Sequence, residues 1–368
     1  MTVRASMGSP VAAARTPGSS RRGFAMLFLA LALAAGVAAA IAAPPVRAAA
    51  VSLLDTKGSG VSAYGGWAAW SHAVAASGAS EYELMLRAPD GAVSQAPVPV
   101  SNGVFEVELG PAAGGVKAVY ERCTDPARKR GCHVFALALG QPGASEHRLA
   151  IPGAGSDFRP AIWNGSLAFL RMNPTGGNHR PENLYTWSLG SRSVRAVTLP
   201  ASRGLRGSSG GRWPGGLTGE ITSLAIGPAQ LAYVTSNLVG SFGETTLWYE
   251  PIGGRPQLID QQTSGAGNVC PPSFLSPVLA GPWLYAYLHA CVGPPSLDRL
   301  TRYKRGSGQR ARFTFVQGGD DEIGSVVPDG GGVDWADEGN VKHLASVAWR
   351  PIPLPVPQTF CSRADPFC

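Results

Sequence analysis

Short apolar runs separated by tight turns recur along the chain, and the clearest set lies between residues 157 and 198. Apolar and polar residues alternate there in Leu184-Tyr-Thr-Trp-Ser-Leu189, which is typical of a strand with one buried face. Asn164-Gly165 and Gly190-Ser191 separate neighbouring runs, and Asn and Gly accept the positive φ of hairpin turns. The stretch therefore predicts four antiparallel strands in a meander.

The pattern of a turn followed by a short apolar strand occurs six times. These strands begin at residues 67, 116, 166, 230, 283 and 332, so most intervals are close to 50 residues. Four-stranded units of about this length are the blades of β-propellers. We therefore predict an all-β chain that forms a six-bladed β-propeller of four-stranded antiparallel blades over residues 51–355.

The sixth repeat is one strand short. Its predicted third strand, Lys342–Trp349, is followed by Pro351-Ile-Pro-Leu-Pro-Val-Pro357, and proline cannot donate a ladder hydrogen bond, so this is not an internal strand. Val51–Leu54 has no place in the first repeat. We predict that it pairs with the last blade as its outer strand, which closes the ring and covers open edges.

The third repeat resembles a known propeller family. Its Arg159-Pro-Ala-Ile-Trp163, a short turn, Leu167-Ala-Phe169 and then Leu184–Leu189 are similar to the repeat of exported TolB-like six-bladed propellers. The family motif is typically W-S-P-D-G, whereas this chain has Ile162-Trp163-Asn164-Gly165 and more degenerate forms elsewhere. The resemblance covers roughly residues 51–355. It implies the fold and no single activity, because TolB-like propellers include binding proteins and peptidase appendages.

Residues 1–50 account for most of the positive net charge of the chain. The chain carries 31 basic and 24 acidic residues, but this segment holds five arginines and no acid, which leaves 26 basic and 24 acidic residues. Arg21-Arg22 precede the uncharged run Phe24–Ala43, and Ala48-Ala49-Ala50 offers a small-residue cleavage site. We predict an export signal peptide, of the general-secretory or, given Ser20–Phe24, the twin-arginine type. An uncleaved anchor is the alternative, since twenty uncharged residues can span a bilayer.

These features set the expected location and partners. We expect a protein exported to the periplasm, the cell envelope or the medium, monomeric and without a membrane span once the signal is cleaved. We see no basic patch interleaved with aromatic residues, so nucleic-acid binding is not expected. No cofactor is predicted.

Six cysteines follow the leader, and an even number in an exported chain suggests disulfides. Cys123 and Cys132 bracket a short loop, and Cys270 and Cys291 would reach the same face of one blade. Cys361 and Cys368 would close a small loop in the tail, residues 356–368. The spacing alone leaves 15 pairings open. Metal ligation is the alternative, but zinc sites favour closer cysteines and clustered histidines.

The long loops should lie on one face of the disc. In an up-and-down blade, the connections from second to third strand and from one blade to the next share a face, and these are the long ones here. Loops on a rigid scaffold often carry function. Two of them, Arg171–Asn183 and Arg203–Gly219, contain polar candidates for ligand contacts, although plain solvated loops are the alternative. The candidates are Asn178, His179, Arg180, Arg212 and Trp213.

Motifs of metal-dependent and nucleotide-dependent enzymes are not found in the sequence. There is no H-E-x-x-H or P-loop, and none of the six histidines falls in a predicted innermost strand. The polar residues predicted on innermost strands are Glu106, Glu108, Arg159 and Glu220. Glu106 and Glu108 share a strand face, which we interpret as solvated rather than as a channel site.

Acidic groups near the sixth repeat offer oxygen atoms to calcium, but none follows a calcium-loop motif. They are Asp320-Asp321-Glu322, Asp334, Asp337 and Glu338.

The sequence favours an exported, non-catalytic propeller that binds a protein, peptide or glycan partner in the cell envelope. The alternative is a hydrolase or lyase with its site in the central channel. Convergence of Glu106, Arg159 and Glu220 in that channel would favour the enzyme, and a hydrophobic or wide-open channel would favour the binding protein.

Overall fold

The computed structural model describes residues 51–74, 81–172, 183–200, 220–239, 242–264, 273–289, 299–314, 323–337 and 339–352. Every regular secondary-structure element within these ranges is a β-strand, and the strands are numbered β1 to β25. They form six antiparallel sheets. The innermost strands of consecutive sheets contact one another, and the first contacts the last. The chain is therefore a six-bladed β-propeller, as the repeats predict.

The first three blades follow chain order from the innermost strand outward. Blade 1 consists of β2 (Gly58–Tyr64), β3 (Trp67–Val74), β4 (Glu81–Arg87) and β5 (Val93–Gln95). Blade 2 consists of β6 (Glu108–Ala112), β7 (Gly115–Arg122), β8 (His133–Ala138) and β9 (His147–Arg148). Blade 3 consists of β10 (Ser156–Trp163), β11 (Ser166–Met172), β12 (Asn183–Ser188) and β13 (Arg195–Ala196).

The last two blades include a strand from a chain end. Blade 4 consists of β14 (Glu220–Gly227), β15 (Gln230–Val239), β16 (Phe242–Pro251) and β17 (Gln257–Ser264). Blade 5 consists of β18 (Ser273–Ala280), β19 (Trp283–His289), β20 (Arg299–Lys304), β21 (Arg310–Thr314) and β25 (Arg350–Ile352). Blade 6 consists of β22 (Ile323–Asp329), β23 (Gly332–Asp337), β24 (Asn340–Leu344) and β1 (Val51–Asp55).

The amino-terminal strand closes the ring, which confirms the predicted pairing. Val51 lies opposite Leu344 and Leu53 opposite Lys342 along the outer edge of blade 6. The Asp55 carboxylate at the end of β1 reaches blade 1, where it accepts a hydrogen bond from Trp70 Nε1 at 2.6 Å and contacts His72 Nδ1 at 2.9 Å. One short strand therefore ties the last blade to the first.

Of the proline-rich segment 351–357, the structure describes only Pro351 and Ile352, and these do not lie in an internal strand. Instead β25 adds a fifth strand to the outer edge of blade 5, where Pro351 faces Ala311. The residue before it, Trp349, covers the Arg302 guanidinium from one side while Trp283 covers the other, at 4.5 and 4.4 Å from the ring centroids. The predicted third strand of the sixth repeat is shorter than expected, because β24 ends at Leu344.

The two faces of the disc differ. Every connection between a first and a second strand contains two residues, so this side, the turn face, is plain. The longer connections lie on the opposite side, the loop face. A long loop was also expected at Ser236–Glu244, between a second and a third strand, and this expectation is wrong. There β15 and β16 continue their ladder to Val239 and Phe242, because Thr235, Thr245 and Thr246 extend the strand pattern.

Candidate functional site

The innermost strands surround a central channel that changes character along its length. Toward the loop face it encloses about 200 Å³ and is lined by residues of all six blades, including Glu106 and Arg159. Toward the turn face only about 30 Å³ remain, mostly between apolar side chains such as Ile162 and Ile226. Glu108 lines both parts. The polar chemistry of the channel is therefore concentrated at its loop-face end.

β-Bulges interrupt the innermost strands at a recurrent level. The ladder skips residues at Gly60 in blade 1, at Arg159 in blade 3, at Ser276 in blade 5 and also in blades 4 and 6. A bulge leaves a residue unpaired and re-aims its side chain. Prolines follow Arg159 and Ser276, where no ladder donor is needed. This local geometry places the Arg159 side chain in the channel.

The backbone of Arg159 is strained at this position. Its φ is 47°, in the left-handed region that residues with a Cβ rarely adopt. Two contacts hold the conformation: its N–H donates to the Glu121 carboxylate at 2.5 Å, and its Nη1 donates to the Ile221 carbonyl at 2.5 Å. Strain that neighbouring groups hold in place is a common feature of functional sites.

Arg159 joins carboxylates of the neighbouring blades. Its Nε lies 3.3 Å from Glu106 Oε2 of blade 2, and its Nη1 lies 3.6 Å from Glu220 Oε1 of blade 4. Lys129 Nζ lies 2.7 Å from Glu106 Oε1 and also contacts Glu121. We call Glu106, Glu121, Lys129, Arg159 and Glu220 the mouth cluster. With three acids and two bases, its formal charge is −1 when all five are ionised.

The electrostatics of the mouth cluster keep its lysine charged. Burial lowers the pKa of Lys129, but the Glu121 and Glu106 carboxylates outweigh it, so the pKa ends above its usual value. Burial raises the pKa of Glu121, repulsion from Glu106 adds to this, and Lys129 with the Arg159 N–H opposes it. Removal of Lys129 would therefore leave a buried carboxylate without its counter-ion.

A disulfide fixes the loop that carries Lys129. Cys123 and Cys132 are bonded, as their spacing suggested. Inside the loop Asp125 and Arg130 exchange backbone hydrogen bonds, and Lys129 itself has a φ of 49°. A neighbouring cavity of about 450 Å³ on the loop face is lined by this loop and by Tyr82, Ser101, Glu106 and Glu121. The loop thus holds an ammonium group at a fixed place between the cavity and the channel.

Glu108 lies deeper in the channel and has a different environment. Ser62 Oγ donates to Glu108 Oε2 at 2.9 Å and accepts a bond from the Leu109 N–H at 3.0 Å. Burial raises the pKa of the half-buried Glu108 to about 8, and the Ser62 hydrogen bond opposes this only in part. The carboxyl is therefore mostly neutral at pH 7. Ser62 is 1% exposed, so a substrate does not reach its hydroxyl.

The structure corrects the interpretation of the two alternating glutamates. Glu106 and Glu108 line the channel and have partners, so the solvated strand face is wrong. Glu106 also precedes its strand rather than lying in it, since β6 begins at Glu108 and the Phe105 N–H bonds the Ser71 hydroxyl instead of β7. By contrast, the convergence of Glu106, Arg159 and Glu220 is observed.

Two members of the mouth cluster were missed by the sequence analysis. Lys129 lies in a loop and Glu121 near the end of a second strand, and both line the neighbouring cavity, where Lys129 contacts Glu106 and Glu121 accepts from the Arg159 N–H. The cysteines that bracket Lys129 were the one signal that this loop has a fixed shape.

Two of the candidate calcium ligands, Asp334 and Asp337, form ion pairs with other side chains of the protein. Asp334 is fully buried and pairs with Arg87 at 3.0 Å and with His343 Nδ1 at 2.7 Å. Asp337 pairs with Lys342 at 2.9 Å. These contacts link strands and join blade 6 to blade 1, which indicates a structural role.

Other predicted positions lie outside the described residues, and they remain predictions. They are residues 1–50, Asn178, His179, Arg180, Arg212, Trp213, Cys270, Cys291, Asp320-Asp321-Glu322, Glu338, Cys361 and Cys368. No helix in the described part of the chain is long and apolar enough to cross a membrane.

Comparisons with known proteins identify no family and find only low structural similarity. No protein-family model and no curated protein matches the sequence. One similar structure is the β-propeller domain of the Trilobed protease from Pyrococcus furiosus, with an open velcro topology: identity is 11%, the TM-score is 0.43, and 81% of this chain and 85% of that chain are covered. A prolyl endopeptidase has 12% identity and a TM-score of 0.35, over 77% of this chain and 46% of its own.

A Synechocystis apocarotenoid oxygenase variant has 12% identity and a TM-score of 0.38, over 79% of this chain and 74% of its own. These TM-scores are low, so the similarities carry no argument about function. The chain spans less than half of the endopeptidase. The class of the protein, a six-bladed β-propeller, rests on its own strand pairing.

Proposed function

We propose that the protein is an exported, non-catalytic β-propeller that binds a partner in the cell envelope through the mouth cluster. Convergence of Glu106, Arg159 and Glu220 at the loop-face end of the channel by itself favours an enzyme, but Arg159 is ion-paired with both carboxylates. The observation that carries the proposal is the cavity of about 450 Å³ that Glu106 lines on the loop face, which is within the size range of ligand pockets.

The charges favour a peptide with a basic group as the ligand. Lys129 and Arg159, the two cations of the mouth cluster, already form ion pairs with its carboxylates. Asp125 adds another acid to the wall of the cavity, and its partner is the exposed Arg128. Glu220 is the most accessible member, with its side chain 63% exposed. A ligand amine or guanidinium can add to these carboxylates, whereas a ligand carboxylate would face a negative surface.

Export is supported by the leader and by the disulfide. The Cys123–Cys132 bond requires an oxidising environment to form and persist. A TolB-like relationship remains a proposal that rests on the third repeat. In this proposal the propeller contributes a rigid disc, and its loop face meets the partner.

Peptide binding to the purified full chain tests the proposal. Probes are two immobilised peptide libraries, one rich in lysine and arginine and one rich in aspartate and glutamate. We expect retention of basic peptides, with affinity about tenfold lower in Glu220→Gln, because a charge-assisted hydrogen bond is lost. Glu81→Gln, which removes a similar charge from blade 1, is the matched control and should bind normally. Equal retention of acidic peptides, or no retention, would refute the assignment.

The second candidate is a hydrolase or lyase that acts on a carbohydrate, peptide or lactone in the channel. The convergence of Glu106, Arg159 and Glu220 favours it, as does Glu108, whose carboxyl lines the channel with a pKa of about 8 and so is a proton donor at neutral pH. Against it, the channel is narrow and Ser62 is buried. Hydrolysis of a chromogenic glycoside, peptide or lactone that disappears in Glu108→Gln and falls above pH 8 would favour this function over binding.

A further inference from the structure

The outer hairpin of blade 5 concentrates positive charge. Residues 299–314 contain six basic residues and no acid, in a chain whose charges beyond residue 50 nearly balance. Basic side chains come from both strands and from the turn between them. The turn includes Gly306 and Gly308, which have φ of 73° and 67° and carry no side chain that could cover the cations.

This hairpin forms one wall of a groove on the turn-face side between blades 4 and 5. The groove encloses about 500 Å³. Tyr249, Leu258 and Tyr303 give it apolar surface, and Leu258 is 52% exposed. The cations in its wall are Lys304, Arg305 and Arg310. The groove therefore combines an apolar or aromatic surface with three positive charges.

Little within the described residues neutralises these cations. Asp260 lies beside the groove, where it accepts a hydrogen bond from the Tyr303 hydroxyl at 2.8 Å and lies 3.6 Å from Arg310 Nη1. Among the residues that the structure describes, Lys304 and Arg305 pair with no carboxylate. Three cations and one acid leave a formal charge of +2.

Arg305 retains hydrogen-bonding capacity. Its Nη2 donates to the Gly281 carbonyl, which anchors the guanidinium. Its Nε and Nη1 are shielded from water and have no partner among the described residues. Unpaired buried donors are costly, which favours a movement of the side chain that turns them toward the groove, where an oxyanion can accept from them.

We propose that this groove binds a phosphate monoester with an apolar or aromatic body. A dianionic phosphate matches the charge of +2, and its three oxygens accept bonds from Arg305, Lys304 and Arg310 together. A carboxylate carries only half of that charge. The body of the ligand would lie against Tyr249 and Leu258. This second site is independent of the mouth cluster.

Calorimetric titration of the full chain with phenyl phosphate tests the proposal. We expect saturable binding that is about tenfold weaker in Arg305→Gln and in Lys304→Gln. Arg312→Gln is the matched control, because Arg312 is exposed on the same hairpin and does not line the groove, and it should bind normally. Binding should also weaken below about pH 6, where the phosphate dianion takes up a proton and becomes a monoanion.

Two further binding experiments distinguish the possible sources of the phosphate group, a small molecule or a membrane lipid. Inorganic phosphate should bind the same site more weakly, since it lacks the apolar body. Lipid vesicles with phosphatidic acid test whether a membrane surface presents the phosphate. Binding to vesicles without binding of phenyl phosphate would contradict a small-molecule groove. Absence of saturable binding, or equal loss in Arg312→Gln, would also overturn the proposal.

Discussion

The mouth cluster and the groove of blade 5 both concentrate charge, but they arrange it in opposite ways. At the mouth, each cation contacts carboxylates from more than one part of the chain, and blades 2, 3 and 4 are joined through Arg159. In the groove, Lys304 ends β20, Arg305 begins the turn that follows, and neither has an acid partner within the described residues. Charges that link blades stabilise the disc, and charges that remain unpaired are available to a ligand.

This difference predicts different responses to the same kind of substitution. At the mouth, the loss of one partner strands a buried charge, so stability and binding should change together. In the groove, the loss of a cation should leave stability nearly unchanged, and only binding should respond. The following experiments test this contrast, from the largest expected effect to the smallest.

The strongest link between blades is β1, and its deletion should have the largest effect. Removal of Val51–Asp55 exposes the edge of blade 6 and deletes the Asp55 contacts to Trp70 and His72. We expect a loss of about 3–5 kcal/mol in the free energy of unfolding, seen as a marked decrease in melting temperature. An unchanged melting temperature would show that the ring does not depend on this closure.

Lys129→Met should be the most destabilising single substitution in the mouth cluster. It leaves the buried Glu121 carboxylate without its ammonium partner, and we expect a loss of about 2–4 kcal/mol in urea unfolding. Lys304→Met is the matched substitution in the groove and should change stability by no more than about 0.5 kcal/mol. Equal losses in the two variants would remove the distinction between the regions.

Reduction of the disulfide should weaken the mouth cluster through the loop of Lys129. The Cys123→Ser, Cys132→Ser double variant should lose about 2–3 kcal/mol. Combined with Lys129→Met, the losses should be less than additive, because both changes release the same contact with Glu121. Fully additive losses would indicate that the disulfide does not position the lysine.

Glu108→Gln should stabilise the protein in a pH-dependent way. Burial raises the folded pKa from 4.5 to about 8, so the native state binds the proton more tightly than the unfolded chain. The wild type therefore loses stability as the pH rises from 4.5 to 8, and the amide does not. We expect a gain of about 1–3 kcal/mol above pH 8 and little below pH 4.5, measured by thermal unfolding. A gain independent of pH would contradict the raised pKa.

The sequence was most informative where a pattern repeats. Turns followed by apolar strands placed the second strand of every blade within one residue, since Gly115 is the only start that differs from the prediction. The pairing of β1 with the last blade was predicted because the sixth repeat lacks one strand and Val51–Leu54 has no place in the first repeat. Both results depend on local alternation and turn chemistry, which a single sequence records directly.

The sites depend on contacts between blades, which the sequence does not record. Arg159 enters the channel because of a bulge, and no pattern around it marks that bulge except the following proline. Glu121 and Lys129 contact Arg159 and Glu106 from a strand end and a loop of blade 2. The basic hairpin was visible in residues 299–314, with Tyr303 and Phe313 between its cations, but the nearly balanced total charge concealed it.

Peptide retention by a Glu106→Gln, Glu220→Gln double variant tests the central claim most directly. Both substitutions keep the size of the side chain, and thermal unfolding of the same sample reports whether the propeller is intact. The account predicts a folded protein that no longer retains basic peptides, while Lys304→Gln retains them as the wild type does. A folded double variant that binds the same peptides with unchanged affinity would contradict the placement of the site at the mouth cluster.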